Sequence, residues 1–244
     1  METQENILVI IPAFNEEGSL EKVVDEVHTH LPQVEVLVVN DGSTDLTSEK
    51  AKACGAMVLD LPFNLGIGGA MQAGYQYAHE KGYDIAIQVD GDGQHDPKEI
   101  GKLLKALKEK KVDVAIGSRF IGDLGYKSST MRRIGISIFS QVISMIVGQK
   151  ITDPTSGFRA ANRKAIQLFA SNYPQDYPEP EVVILLHQCR LKMEEVPVGM
   201  SERYSGESSI TKIRSMYYMV KVLLAIFVDC FKKPPLLEEE GERC

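Results

Sequence analysis

Short apolar runs alternate with helically spaced segments through the first half of the chain. Asn6 to Ala13 (NILVIIPA), Glu35 to Asn40 (EVLVVN), Ala56 to Asp60 (AMVLD), Asp84 to Asp90 (DIAIQVD) and Val112 to Gly117 (VDVAIG) are all rich in Val, Ile or Leu. Runs of this length bounded by turn residues read as strands. Strands that alternate with helices predict an α/β fold, a mostly parallel sheet flanked by helices. The second half has a different texture. A loop from Ile121 to Thr130 leads into an amphipathic helix over Met131 to Gly148 and then the segment DPTSGFRAANRKAI. An acidic, proline-bearing turn follows at Tyr177 to Glu181, then a helix to about Arg190, a strand near Glu194 to Val198 and a long amphipathic helix from Ile210 to Phe231. Neither an internal repeat nor a linker interrupts this order, which predicts one domain over residues 1–232 and a frayed tail over 233–244.

Two stretches are apolar enough to raise the question of a membrane span, for which about 20 apolar residues are needed. Ile134 to Gln149 contains Ser137, Ser140, Gln141 and Ser144, and Met216 to Phe231 is broken by Lys221 and Asp229. Both are expected to be interfacial or buried. The N-terminus carries acidic residues ahead of its apolar run, where a secretory signal would carry basic ones, so no signal peptide is expected.

Charge narrows the partners. The 244 residues hold 27 Lys and Arg against 34 Asp and Glu, a net charge of −7. A general nucleic-acid binder is usually basic, so the charge argues against that class, and any anionic partner must be held by a local patch. The four cysteines, Cys54, Cys189, Cys230 and Cys244, form no Cys-x-x-Cys pair. They match neither a zinc site nor a dense disulfide framework, and a reducing cytoplasm is the simplest home.

In open α/β sheets ligands bind beyond the carboxyl ends of the strands. The residues there are Asn15-Glu16, Asp41-Gly42-Ser43, Asn64 with Gly66, Asp90-Gly91-Asp92 and Arg119. Asp90 and Asp92 put two hard oxygen ligands on one side of an extended loop, which suits Mg²⁺ or Mn²⁺ shared with substrate phosphates; a solvated Asp-Gly turn is the alternative. Asp96-Pro97 reads as an N-cap with proline at the first helical position. Ser43, Thr44 or Asp45 can cap the helix after the second strand, leaving Asp41 to accept hydrogen bonds from a base or ribose. Asn64 to Ala70 (NLGIGGA) is glycine-rich and opens a helix, but Met71 stands where a dinucleotide fingerprint has its third glycine.

Taken in order, PAFNEE, DGSTD, NLGIGGA, DGDGQHDP, GSRF and DPTSGFR resemble the motifs of family 2 glycosyltransferases of the GT-A (Rossmann-like) fold. The branch most similar is that of dolichyl- and polyprenyl-phosphate sugar synthases. The resemblance covers roughly residues 6 to 232 and implies a nucleotide-sugar half, 1–118, and an acceptor half, 119–232. It implies a nucleotide pocket from Pro12, Ala13, Asn15, Glu16, Asp41, Gly68, Asp90 and Gly91. Asp90 and Asp92 would hold the metal on the donor diphosphate, with Gln94 assisting. Arg119, Asp92 and Asp153 are its candidate catalytic residues.

The acceptor implied is a polyprenyl phosphate, a monoester already ionised near neutral pH, so no general base is strictly required. Two phosphate-bearing substrates do require cations, and Arg119, Arg132, Arg133, Arg159, Arg203 and Lys212 are candidates. By the resemblance Arg119, one of Arg132 and Arg133, and Arg203 are the best acceptor-phosphate ligands, with Lys212 in the place of a lysine that related synthases carry after the Gly-Glu-Ser motif. A hydroxyl acceptor would instead need a carboxylate base, for which Glu179, Glu181 or Asp153 is placed. The same resemblance implies a peripheral enzyme at the inner face of the cell membrane. Its ending resembles bacterial polysaccharide-locus members that lack membrane spans, with a separate small membrane protein as an expected partner. The other classes weighed are a nucleotidyltransferase, disfavoured by the acidic Asn15-Glu16-Glu17 after the first strand, and a non-catalytic sugar-nucleotide-binding partner, disfavoured by the intact Asp90 and Asp92.

Overall fold

The computed structural model of the chain describes residues 5–122, 130–201 and 212–235, with the side chains of 130–132 and 212–218 outside that description. Seven strands form one sheet: β1 (Ile7–Ala13), β2 (Glu35–Asn40), β3 (Met57–Asp60), β4 (Ile85–Gln88), β5 (Val114–Ser118), β6 (Arg159–Asn162) and β7 (Met193–Pro197). The helices are α1 (Leu20–His30), α2 (Thr47–Ala53), α3 (Gly66–Lys81), α4 (Ile100–Lys110), α5 (Thr130–Val147), α6 (Arg163–Asn172), α7 (Pro178–Gln188) and α8 (Lys212–Asp229). The strand order is β3-β2-β1-β4-β6-β5-β7. Only β6 runs against its neighbours, pairing antiparallel with both β4 and β5.

All five first-half runs are strands, and the run near Glu194 is β7. The strand absent from the sequence reading is β6, whose Arg-Ala-Ala-Asn carries none of the β-branched or aromatic residues that mark a pleated surface. It forms because Ala160 and Ala161, fully buried, fit between β4 and β5. A second correction concerns Tyr177 to Glu181, read as a turn. It is the entry to α7, with Pro178 at the first helical turn, where a proline's missing N–H is no loss and its fixed φ suits the helix. Asp96 does cap the helical turn at Pro97, its carboxylate accepting from the Lys98 N–H at 3.1 Å.

Pleating explains why the strands read as continuous apolar runs. Along β1, Leu8 and Ile10 face one core, with α3 and α5 to α8, while Val9, Ile11 and Ala13 face the other, with α1 and α4. Successive side chains of a strand point to opposite faces, so a sheet covered on both sides needs both sets apolar. Each aliphatic side chain fully buried this way contributes about 1.5–3 kcal/mol.

On α5 the buried stripe is Ile136, Phe139, Ile143 and Val147, leaving Ile134, Ile138 and Met145 exposed. On α8, Val222 and Ile226 are buried, while Val220, Leu224, Phe227 and Val228 face outward, with Phe231 just beyond. Among the described residues no helix is long and apolar enough to cross a membrane.

Helix α3 lies closest to the sheet at Gly74, where a Cβ would stand 2.5 Å from the Ile10 Cγ2. Ile10 is β-branched and itself fully buried, so it has no rotamer into which to retreat. Gly74→Ala is expected to destabilise the fold by about 1–3 kcal/mol, the cost of overpacking a core, read as a lower urea midpoint. An unchanged midpoint would show that α3 can lift from β1 without penalty.

Candidate active site

The loops after β1, β2 and β4 converge at one edge of the sheet. After β1 the backbone turns at Asn15, a non-glycine residue at φ +55°, a conformation that asparagine tolerates better than most. Asn15 is latched to the loop after β2: its N–H donates to the Ser43 Oγ at 2.9 Å and its Oδ1 accepts from the Thr44 N–H at 2.9 Å. The neighbouring Glu16 N–H donates to the Thr47 Oγ1 at 2.9 Å. PAFNEE and DGSTD are thus two sides of one structure.

Asp41 is buried, and both its oxygens accept backbone N–H groups at the start of α3, from Leu65 at 2.7 Å and Gly66 at 2.9 Å. Helix N-termini leave such donors unsatisfied and favour negative charge. Asp41 is thus anchored to the start of α3, a tie that the sequence does not reveal, and it also lines the cavity described below. The cap of α2 falls to Asp45, whose Oδ1 accepts from the Thr47 N–H at 3.0 Å. Gly42, at φ +69°, leaves no room for a Cβ, which would lie 2.8 Å from the Asn64 nitrogen.

A cavity of about 230 Å³ opens here, lined by the expected Pro12, Ala13, Glu16, Asp41, Asp90, Gly91 and Asp92 together with Phe14, Ile67, Ala70 and Glu179. Asn15 and Gly68 are not in its lining. Asn15 serves the latch just described, and Gly68 is required by packing, since a Cβ there would sit 2.5 Å from the Pro174 carbonyl oxygen.

The two aspartates after β4 are held in place by neighbours. The Asp92 Oδ1 accepts from the Gln94 N–H at 2.9 Å. His95, buried at 2% exposure, accepts the Asp90 N–H on Nδ1 at 3.0 Å and places Nε2 3.4 Å from the Asp90 Oδ2. Its ring stacks on Phe158 with centroids 4.9 Å apart. Burial draws the His95 pKa down to about 3, against the opposing pull of Asp92, so the ring is neutral and its proton belongs on Nε2, toward Asp90. The sequence reading gave His95 no role, because its importance lies in a fold-back contact on a residue five positions earlier.

Arg119 and Asp153, both expected at the centre of the chemistry, are buried and paired with each other. The Arg119 Nε donates to the Asp153 Oδ2 at 2.5 Å and its Nη2 to the Oδ1 at 2.6 Å, a bidentate geometry. Nη2 also reaches the Thr155 Oγ1 at 2.7 Å. From β7, Glu195 accepts the N–H groups of Thr152 and Asp153, each at 2.7 Å, and burial holds its pKa above the usual carboxylate range. Asp153 is therefore the counter-ion of Arg119, with both its oxygens engaged by the guanidinium.

The two glutamates of α7 diverge. Glu179 lines the cavity, and burial raises its pKa against the lowering effect of Arg159. Glu181 faces a separate groove of about 930 Å³ between α7 and α8, where burial and then Asp229 push its pKa to about 7. Arg159 itself is fully buried; its Nη2 donates to the Glu179 carbonyl at 2.5 Å, and its Nε and Nη1 have no partner among the described residues. Arg133 lies exposed on α5. Arg203 and the side chains of Arg132 and Lys212 fall outside the described residues.

A family model described as "Glycosyl transferase family 2" matches residues 8–169. The chain belongs to this glycosyltransferase family. It is 34% identical over 225 residues to the polyprenol monophosphomannose synthase of Mycolicibacterium smegmatis, across 88% of this chain and 84% of that protein. It is 31% identical over 214 residues to the undecaprenyl-phosphate mannosyltransferase of Micrococcus luteus, across 84% and 87%. Its fold matches glucosyl-3-phosphoglycerate synthase from Mycobacterium tuberculosis, crystallised with Mn²⁺, UDP and glucosyl-3-phosphoglycerate, with a TM-score of 0.70 at 21% identity, across 95% of this chain and 81% of that one. At that identity the likeness bears on the fold, which is of the GT-A type.

Breaking the Arg119–Asp153 pair leaves a buried guanidinium without its counter-charge. Asp153→Asn is expected to cost about 3–5 kcal/mol of stability, the penalty for orphaning one member of a buried pair, measured by denaturant unfolding. A loss below about 1 kcal/mol would place the pair among solvent-screened surface bridges.

Proposed function

We propose that the protein transfers a sugar from a nucleoside-diphosphate sugar to a polyprenyl phosphate, with inversion, at the inner face of the cell membrane. The observation that carries this reading is the cavity at the ends of β1, β2 and β4, with Asp90 and Asp92 at its wall, in a chain whose relatives are named for polyprenyl-phosphate sugar transfer.

The two carboxylates fit Mg²⁺ or Mn²⁺ as the family implies. Among the described residues no three His, Cys, Asp or Glu side chains gather as a metal-binding group. A pair of carboxylates, with Gln94 nearby, suits a hard cation that takes its other oxygen ligands from phosphate and water. When bound, such a metal neutralises charge on the departing nucleoside diphosphate. The chain's own part is positional. His95 and the Gln94 N–H orient Asp90 and Asp92, while Asp41 pins the start of α3, whose Ile67 and Ala70 stand in the cavity wall.

Two observations favour a phosphate over a hydroxyl as acceptor. Asp153 is engaged by Arg119, and Glu181 opens into the α7–α8 groove rather than the cavity. A phosphate monoester, with a second pKa of about 6, is a nucleophile without help. The hydroxyl-acceptor reading rests on Glu179, the second-half carboxylate in the cavity. Arg119, Arg133, Arg132, Arg203 and Lys212 remain the proposed cations for the acceptor phosphate.

The outward apolar side chains of α5 and α8 supply a surface for peripheral attachment. Between Arg203 and Lys233 stand six basic residues against Glu207 and Asp229, a local excess within an acidic chain. Each basic residue near an anionic leaflet contributes about 1 kcal/mol. Insertion of apolar helix faces adds to that.

Asp92→Asn is expected to lower transfer by about 10²–10³-fold, since several kcal/mol of charge stabilisation correspond to that many powers of ten, with an unchanged circular-dichroism spectrum. A few-fold loss with the metal dependence intact would reduce Asp90-Gly91-Asp92 to a turn. In flotation assays the protein is expected to rise with anionic liposomes at low salt and less so with neutral liposomes or at high salt. Failure to float with either lipid would rule out autonomous attachment and leave a membrane partner to supply it.

A further inference from the structure

Among the described residues the cavity's lining comes from the first 92 with a single exception, Glu179. Its position follows from the strand order. Asp41 stands at the end of β2, Pro12 in β1 next to it, and Asp90 beyond β4 next to that. The next strand is β6, which pairs with β4 so that Arg159 lies opposite Gln88. Arg159 in turn holds the first turn of α7 through the Glu179 carbonyl. The cavity therefore runs across the sheet in the sequence Asp41, Pro12, Asp90 and Asp92, Glu179.

A sugar nucleotide is a linear ligand, with nucleoside, diphosphate and sugar in that order. If the diphosphate lies at Asp90 and Asp92 and the nucleoside toward β1 and β2, the sugar falls on the β6 side, against Glu179. We propose that Glu179 binds the sugar of the donor by accepting hydrogen bonds from its ring hydroxyls, and so is a residue that selects which sugar is transferred. This rests on the function proposed above and extends it to the sugar of the donor.

Arg159 is the positioning residue. It is fully buried, and its hydrogen bond to the Glu179 carbonyl fixes the turn from below. Tyr173, hydrogen-bonded to Gln88 at 3.2 Å, packs the same region from the chain just ahead of α7. A carboxylate on so supported a turn discriminates well, because a site built to bind a hydroxyl rejects an analogue that leaves its polar group unpaired.

The test compares wild type with Glu179→Gln and Glu179→Ala by calorimetric titration in saturating Mn²⁺. The probes are UDP and GDP alone and the glucose, mannose and N-acetylglucosamine conjugates that each nucleotide carries. Both variants are expected to bind the nucleoside diphosphate as wild type does and to lose about tenfold or more in affinity for the sugar nucleotide, the scale of one hydrogen bond to a charged group. Equal losses for nucleotide and sugar nucleotide, or no loss for either, would overturn the inference. So would a fall of about 10²–10⁴-fold in kcat with sugar-nucleotide affinity intact, the mark of a general base. A wild-type protein that binds neither UDP nor GDP would overturn the proposed function itself, whereas one that binds a nucleotide but is insensitive to Glu179 overturns only the assignment made here.

Discussion

The antiparallel insertion of β6 between β4 and β5 is the constraint on which the rest of the structure hangs. Without it the first half of the chain would end in a four-stranded parallel sheet with β4 at its edge. With it, Arg159 is brought opposite Gln88 on one side and Ile116 on the other, and the second half of the molecule is tied to the strand that carries the acidic pair. The strand is short and built on alanine. Its stability comes from two ladders of backbone hydrogen bonds and complete burial rather than from its own propensity.

Around that junction the ionisable groups are arranged so that few are left to choose their own geometry. Asp41 holds a helix N-terminus, Asp90 is braced by a neutral histidine, Arg119 and Asp153 grip each other, and Glu195 secures the backbone beneath that pair. Buried charge is costly unless paired or hydrogen-bonded. The acidic residues that line the cavity therefore reflect a large investment in positioning.

Much of this was legible in the sequence, for a definable reason. Strands buried on both faces must be apolar throughout, so five of them announced themselves, and the polar residues after them marked the edge where the cavity opens without any knowledge of contacts. What the sequence concealed depends on partners far along the chain. Arg-Ala-Ala-Asn carries no strand signal because its environment, not its side chains, makes it a strand. Pro178 and Pro180 look like a turn until their place in the first turn of α7 is known. His95, Glu195 and the bracing role of Arg159 belong to residues that act on a backbone group or carboxylate brought near by folding. Asn15 forms a latch between two loops and Gly68 a close packing contact, neither of which the local sequence reveals.

The glycines of α3 carry a consequence for how the molecule is assembled. Gly68, Gly69 and Gly74 each disfavour a helix by roughly 0.5–1 kcal/mol relative to alanine, and a lone helix of this length is marginal even with good helix formers. Yet two of these positions abut other parts of the chain too closely for a side chain, Gly68 the Pro174–Gln175 backbone and Gly74 the Ile10 side chain. The segment is thus poorly suited to being a helix by itself and well suited to being one against β1 and the loop before α7. Its first turn, which receives Asp41, also lies against that loop, so contacts from both halves of the chain meet at this helix. The helical form of this segment therefore depends on its contacts with both β1 and the loop before α7 rather than on its own propensity.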